Sequence, residues 1–249
     1  MSHAKNADKI LVLGSAPNAV HATEMDLSIY DQIIVINNAW RVIACWTEHI
    51  FPYDFPKEHQ PQHYASHQKV IDEHLFVPQQ NEFGGFVFAG GTMAFTALYW
   101  ALGAHRPAEI HILGCDMVYP DQGSTHFYGS GTADPLRDDI TLRDLYAKSA
   151  RFMCMAAAQD CQVFNLSTQP SKLCFPRYVE GSDQARSGPL INLKDVQRIL
   201  DTEAALGYVV PSGRYWEAAE RFDIEALDTV DGLWRRLGQS MAAVSAEHL

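Results

Sequence analysis

The chain has 249 residues, 47% hydrophobic and 20% charged, with a formal net charge of −11; this suits a folded domain, alone or with an appendage, rather than a disordered chain. Without clustered Lys and Arg, that acidic balance excludes a continuous nucleic-acid footprint and general attraction to anionic membranes. A single phosphate held by backbone N–H groups stays compatible with it.

The first apolar run, Lys9–Leu13, is too short for a signal-peptide core and ends at Gly14-Ser15-Ala16-Pro17-Asn18. The second, Ile33–Ile36, ends at Asn37-Asn38. Both read as strands buried on two faces, as in a parallel sheet. Ala44-Cys45-Trp46 reads as a third strand, and Val87-Phe88, ended by Gly90-Gly91-Thr92, as a fourth. Residues 83–104 carry no charge, but their paired glycines divide them into a strand and a buried helix over Thr92–Leu102, with Gly103 closing it; no membrane span is expected.

Glu109–Leu113 is a fifth strand, ended by Gly114-Cys115-Asp116, and Gln162–Phe164 a sixth, ended by Asn165-Leu166-Ser167. Between them a helix capped by Asp138 or Asp139 runs to about Ala158, with Arg143, Lys148 and Arg151 on its polar surface. Alternating strands and helices give an α/β protein with a parallel sheet. The texture changes after Gln169: a loop over 176–189, a helix from Asn192 to Ala205 ended by Gly207, and more helix from about Tyr215 to Met241. The expected division is a sheet domain over residues 1–175 and a loop with a C-terminal helical appendage over 176–249. Trp216, Leu233, Trp234 and Leu237 in that appendage suit packing on the core or on a second copy of the chain, so a homo-oligomer stays open.

In an open parallel sheet, ligands bind beyond the carboxyl ends of the strands. The residues there are Gly14, Ser15, Asn18, Asn37, Asn38, Gly90, Gly91, Thr92 and Asp116, joined by Asn165 and Ser167. Glycine admits a ligand close to the backbone, and short polar side chains supply adjustable hydrogen bonds. Ordinary turns use the same residues. Gly90-Gly91-Thr92 opens a helix, so its N–H groups suit an anionic oxygen, although Thr92 also suits a plain cap. His126, in a loop after the fifth strand, is a candidate general base. His59, His63 and His67 would share one face of a helix and offer metal ligands, against which stand Pro56, Pro61 and the lack of an HExxH pattern; no metal is expected. Cys115 with His126 allows a Cys–His hydrolase, with no oxyanion motif beside it. Five cysteines without a CxxC pair fit a reduced, cytoplasmic protein.

ILVLGSAPNAV (10–20), IIVINNAW (33–40), GGTMAFTALYWALG (90–103), EIHILGCDMVY (109–119), THFYG (125–129) and VFNLS (163–167) follow one another in an order that resembles the bacterial sialyltransferases of glycosyltransferase family 42 and related uncharacterised domains. The resemblance spans residues 9–168 and implies a Rossmann-like fold. It implies an inverting, metal-independent transfer of a sugar from a CMP-linked donor to the hydroxyl of a glycan acceptor, without a cofactor. Gly14, Ser15, Asn18 and Asn37 would contact CMP, Gly91 and Thr92 the donor, His126 would be the base, and Tyr119 and Tyr128 would assist the departing phosphate. The related group includes pterin diphosphokinase-like proteins, so an ATP-dependent transferase with Asp116 and Asp121 as acidic ligands is the alternative, as is a nucleotide-binding protein without catalysis.

Overall fold

The computed structural model describes residues 8–119, 123–129, 138–179 and 191–247, with side chains to 241. Six parallel strands form one sheet in the order β4-β3-β2-β1-β5-β6. They are β1 (Lys9–Leu13), β2 (Gln32–Ile36), β3 (Glu48–Ile50), β4 (Lys69–Ile71), β5 (Glu109–Leu113) and β6 (Gln162–Asn165). With helices over it and a long C-terminal helix, the architecture is a Rossmann-like α/β fold.

Side-chain alternation divides the core in two. Ile10, Val12, Ile34, Ile110 and Ile112 face the helical layer. That layer comprises α1 (Glu73–Glu82), α2 (Phe86–Ala89), α3 (Met93–Trp100), α4 (Leu145–Ala157), α5 (Leu193–Leu206) and α6 (Ile224–Glu247). Leu11, Leu13, Ile33, Val35 and Leu113 face the other way, onto Ala19, Ala22, Tyr30, Ala39 and Trp46. The cover on that side comes from short 3-10 segments, Pro17–Glu24, Leu27–Ile29 and Asn37–Arg41.

Several expectations need correction. Ala44–Trp46 is not a strand; the third strand starts at Glu48. Val87 and Phe88 lie in α2, held between Gly85 and Gly90, whose φ values of 80° and 96° turn the chain at both ends. Gly103 does not close α3, which passes into a π turn over Ala101–His105 and ends at Arg106 in the left-handed region. The helix expected from 138 is capped instead by Asp144, whose carboxylate accepts from Ala147 N at 2.9 Å; Asp139 caps the 3-10 turn before it. Lys148 and Arg151 are buried rather than on the surface.

Asn192 caps α5 and Gly207 closes it in the left-handed conformation, as the sequence pattern requires. In the C-terminal region, Trp234 is buried and Leu233 and Leu237 pack beside it against the helical core, whereas Trp216 is half exposed. Most of the loop expected over 176–189 lies outside the described residues. Among the described residues no helix is long and apolar enough to cross a membrane.

Candidate functional site

The strand order reverses at β1, with β2, β3 and β4 on one side and β5 and β6 on the other. In such sheets the crevice beyond that reversal is where ligands bind. Here the ends of β1 and β5 close on each other. Gly14 N donates to Leu113 O at 2.8 Å and Ala16 N to Gly114 O at 3.0 Å. A Cβ on Gly14 would strike the Gly114 carbonyl and the Cys115 sulfur. The glycine is thus required by the neighbouring strand as well as lining the floor of a cavity of about 190 Å³ that opens above it.

One wall of that cavity is Ser15 with Asn37 and Asn38. Asn37 sits at φ 50°, a conformation asparagine tolerates better than most residues. It is held by His49 on β3, whose Nε2 lies 2.7 Å from the Asn37 carbonyl oxygen. A carbonyl only accepts, so Nε2 carries the proton and Nδ1 is left to accept from Tyr64 Oη at 3.3 Å. Burial pushes His49 down to about 4, against a hydrogen bond to Asn37 that favours the charged form. The ring is fully buried beside Phe51 and Phe55 and is neutral near pH 7. Asn37 Oδ1 and Asn38 Oδ1 are buried and accept no hydrogen bond among the described residues. Each such acceptor costs about 1–3 kcal/mol unless something fills its place.

A second wall is Thr92, Met93 and Ala94 at the N-terminus of α3. Thr92 Oγ1 accepts from Phe95 N at 3.3 Å, so it caps the helix while the positive end of the helix faces the cavity. The third wall is Tyr119, His126 and Tyr128. His126 N donates to Gly129 O at 2.9 Å, Gly129 N returns a bond to His126 O at 3.1 Å, and Phe127 N ties this tight turn to Ser15 O at 3.0 Å. His126 Nδ1 lies 2.9 Å from Thr125 Oγ1. Its ring stacks on Tyr128, centroids 4.9 Å apart, with Tyr119 at 6.4 Å.

Gly90, Gly91, Asn18 and Asp116 lie outside this lining, and so do Asn165 and Ser167. Gly90 and Gly91 belong to a turn filled by other side chains: Gly91 N donates to Thr141 Oγ1 at 2.9 Å, and a Cβ there would meet the Tyr215 hydroxyl. Asn18 and Asp116 are buried beneath the edge. Asn18 Nδ2 donates to Asp116 Oδ2 at 3.0 Å and to Ser167 Oγ at 2.7 Å, and Asn165 Nδ2 donates to Asp116 Oδ1 at 2.9 Å. Arg177 adds its charge at 3.6 Å. A buried carboxylate needs such donors, so this knot ties the ends of β1, β5 and β6 together.

For the Cys–His alternative, Cys115 lines the cavity together with His126, but burial and the Asp116 charge push its thiol up to about 12, away from the thiolate a nucleophile needs. His59 ends a 3-10 turn over Lys57–His59, and His63 and His67 follow outside any helix, so the shared helical face is not formed. Among the described residues no group of three or more His, Cys, Asp or Glu is placed to hold a metal ion. Asp121 lies outside the described residues. A wider cavity, about 460 Å³, has Asp139, Asp144, Asp228 and Asp231 in its walls. Those carboxylates are already engaged, with Tyr215, Arg235, Arg143 and Lys148 respectively.

Sequence reasoning missed His49 and Phe55. The only signal for His49 was its place in Glu48-His49-Ile50, which reads as polar; Phe55 carried none. Comparison of the chain with protein-family models, with curated proteins and with solved structures finds no match.

Proposed function

We propose that this cavity takes the nucleotide end of a CMP-linked sugar and that the chain is an inverting glycosyltransferase. The observation that carries the reading is convergence: Ser15, Asn37, Asn38, Thr92, Tyr119, His126 and Tyr128, far apart in sequence, line one cavity at the strand-order reversal. Its described lining holds neither a carboxylate nor a Lys or Arg. The unpartnered asparagine amides suit a neutral, hydrogen-bonding base or ribose, and the start of α3 suits a phosphate. A whole nucleotide sugar exceeds this volume, so the sugar projects outward toward solvent. A cytoplasmic location goes with this reading.

In the proposed reaction the acceptor hydroxyl gives its proton to His126 while its oxygen attacks the anomeric carbon. The bond from that carbon to the phosphate oxygen breaks, and the electron pair leaves with CMP. Hydroxyl donors from Tyr119 and Tyr128 and N–H groups at the start of α3 stabilise the developing charge. The ATP-dependent alternative draws no support from Asp116, which is bound up beneath the edge.

Thermal shift with CMP, UDP and ATP plus magnesium tests the ligand. CMP at 100 times its Kd should add about 2.7 kcal/mol of stability. CMP-sialic acid with a galactoside should release CMP, and His126→Ala should abolish release while keeping the CMP shift. Failure of the intact protein both to bind and to release CMP overturns the reading; CMP binding with no turnover, unchanged by His126→Ala, leaves a nucleotide-binding protein.

A further inference from the structure

The start of α3 meets the cavity through Thr92, Met93 and Ala94, and the N–H groups of a helix's first turn have no partner within the helix. What fixes that start lies in two distant 3-10 segments. Gly91 N donates to Thr141 Oγ1 at 2.9 Å. Thr141 is buried in the turn Ile140–Leu142. Its hydroxyl donates to Asp139 Oδ1 at 2.7 Å, and its own N–H reaches the same oxygen at 2.8 Å. Tyr215 opens the segment Tyr215–Arg221 and donates to Asp139 Oδ2 at 2.6 Å. Its ring stacks on Phe86 at the head of α2, centroids 6.4 Å apart. None of Asp139, Thr141 and Tyr215 stands in a motif that carries the resemblance.

Chemistry sets the direction of this chain of bonds. A backbone N–H only donates and a carboxylate only accepts. Thr141, between them, spends its one proton on Asp139 and turns a lone pair to Gly91. Its hydroxyl and that of Tyr215 also leave no room for a Cβ on Gly91. Hydrogen bonds to an ionised group are the stronger kind, so the turn before α3 is anchored through Asp139. On another wall Asn38, 6% exposed, keeps Oδ1 without a partner among the described residues, a place that a bound molecule would fill. We infer that Asp139, Thr141 and Tyr215 are positioning residues for the phosphate of the ligand: through Gly91 they hold Thr92, Met93 and Ala94 where the N–H groups at the head of α3 meet it. The inference rests on the CMP reading and adds to it the residues, outside the cavity, that set affinity for the phosphate separately from base and ribose.

The test titrates the whole chain with CMP and with cytidine, which lacks the phosphate. Thr141→Val keeps the shape and loses the hydroxyl. That variant and Tyr215→Phe should each weaken CMP about tenfold and cytidine by less than about twofold. Thr141→Ser restores the hydroxyl and should bind CMP as the native chain does. Amide exchange at Gly91 should quicken in Thr141→Val. Where Thr141→Val does not fold, Tyr215→Phe decides alone. If CMP and cytidine weaken alike, as a merely structural role requires, or if CMP binding is unaltered in both variants, the relay is overturned and the CMP reading stands. If AMP or UMP binds in place of CMP with the same dependence on Thr141, the relay stands and the CMP reading fails. An intact chain that binds no nucleoside monophosphate overturns both.

Discussion

The charged groups buried in the helical layer and two amides at the carboxyl edge of the sheet are treated differently, although the layer also buries Gln80 on α1, whose amide atoms have no hydrogen-bond partner among the described residues. In the helical layer Arg151 donates to both carboxylate oxygens of Glu203, at 2.8 and 2.7 Å, to Tyr99 Oη at 2.6 Å and to Phe83 O at 2.6 Å. Trp234 Nε1 completes Glu203 at 2.7 Å, and Lys148 bridges Asp231 at 2.8 Å and Val87 O at 3.3 Å. At the edge, Asn37 and Asn38 leave buried acceptors empty. A closed network of charges has no capacity left for a ligand, whereas empty amide acceptors keep theirs. The closed region also supports the open one. Arg151 and Lys148 grip carbonyls before and within α2, the short helix leading to Gly90 and the Thr92 wall.

The largest effect should come from breaking the closed network. Arg151→Met strands Glu203 as a buried charge and should cost about 3–5 kcal/mol, read from denaturant midpoints. Replacing Lys148 and Asp231 together by Met and Leu should cost far less than Lys148→Met alone. Equal costs would mean that pairing is not what holds this layer.

Next comes acidification. His49 is held near 4 when folded and returns to about 6.5 when unfolded, so the unfolded chain binds the extra proton between those values. Its contribution is complete above pH 6.5, is lost progressively as pH falls toward 4, and amounts to about 3 kcal/mol in all. Subtracting the profile of His49→Phe from that of the native chain isolates it; a flat difference would remove the buried, neutral imidazole from the argument.

The smallest effect has the opposite sign. Asn38→Leu removes an unfilled acceptor and should raise stability by up to about 1 kcal/mol while abolishing the CMP thermal shift. A destabilised variant that still responds to CMP would place the amide in the fold rather than in the site.

How far the sequence reveals these regions depends on which residues each one buries. Strands β1 and β2 were legible because both of their faces are apolar and one face would have to be polar in an exposed strand; β5 was legible from Ile110, Ile112 and Leu113 although it also buries His111. β3 was hidden because it buries Glu48 and His49; Glu48 is matched by Trp100 Nε1 at 2.7 Å and His105 Nε2 at 3.0 Å, partners distant in sequence. Lys69–Ile71 is a short edge strand with one exposed and one buried end, too brief for a pattern. Val87-Phe88 shows the limit of short apolar runs between glycines, which fit a strand and a helical turn equally well. At the site, Ser15, Asn37, Thr92 and His126 were legible as strand-end or loop polar residues. Asn18 and Asp116 looked the same, and only their hydrogen bonds to each other, to Ser167 and to Asn165 separate a fastening group from a binding one.

The uneven covering of the sheet has a consequence for exchange with solvent. The 3-10 turns over Pro17–Glu24 and Asn37–Arg41 have poorer hydrogen-bond geometry than α-helices. Local opening favours such segments over a multi-helix layer locked by buried ions. Amide hydrogen exchange should therefore run faster beside Ala16, Asn37 and Asn38 than in the middle of α4 and α5, so that the thin cover of the sheet yields before the thick one.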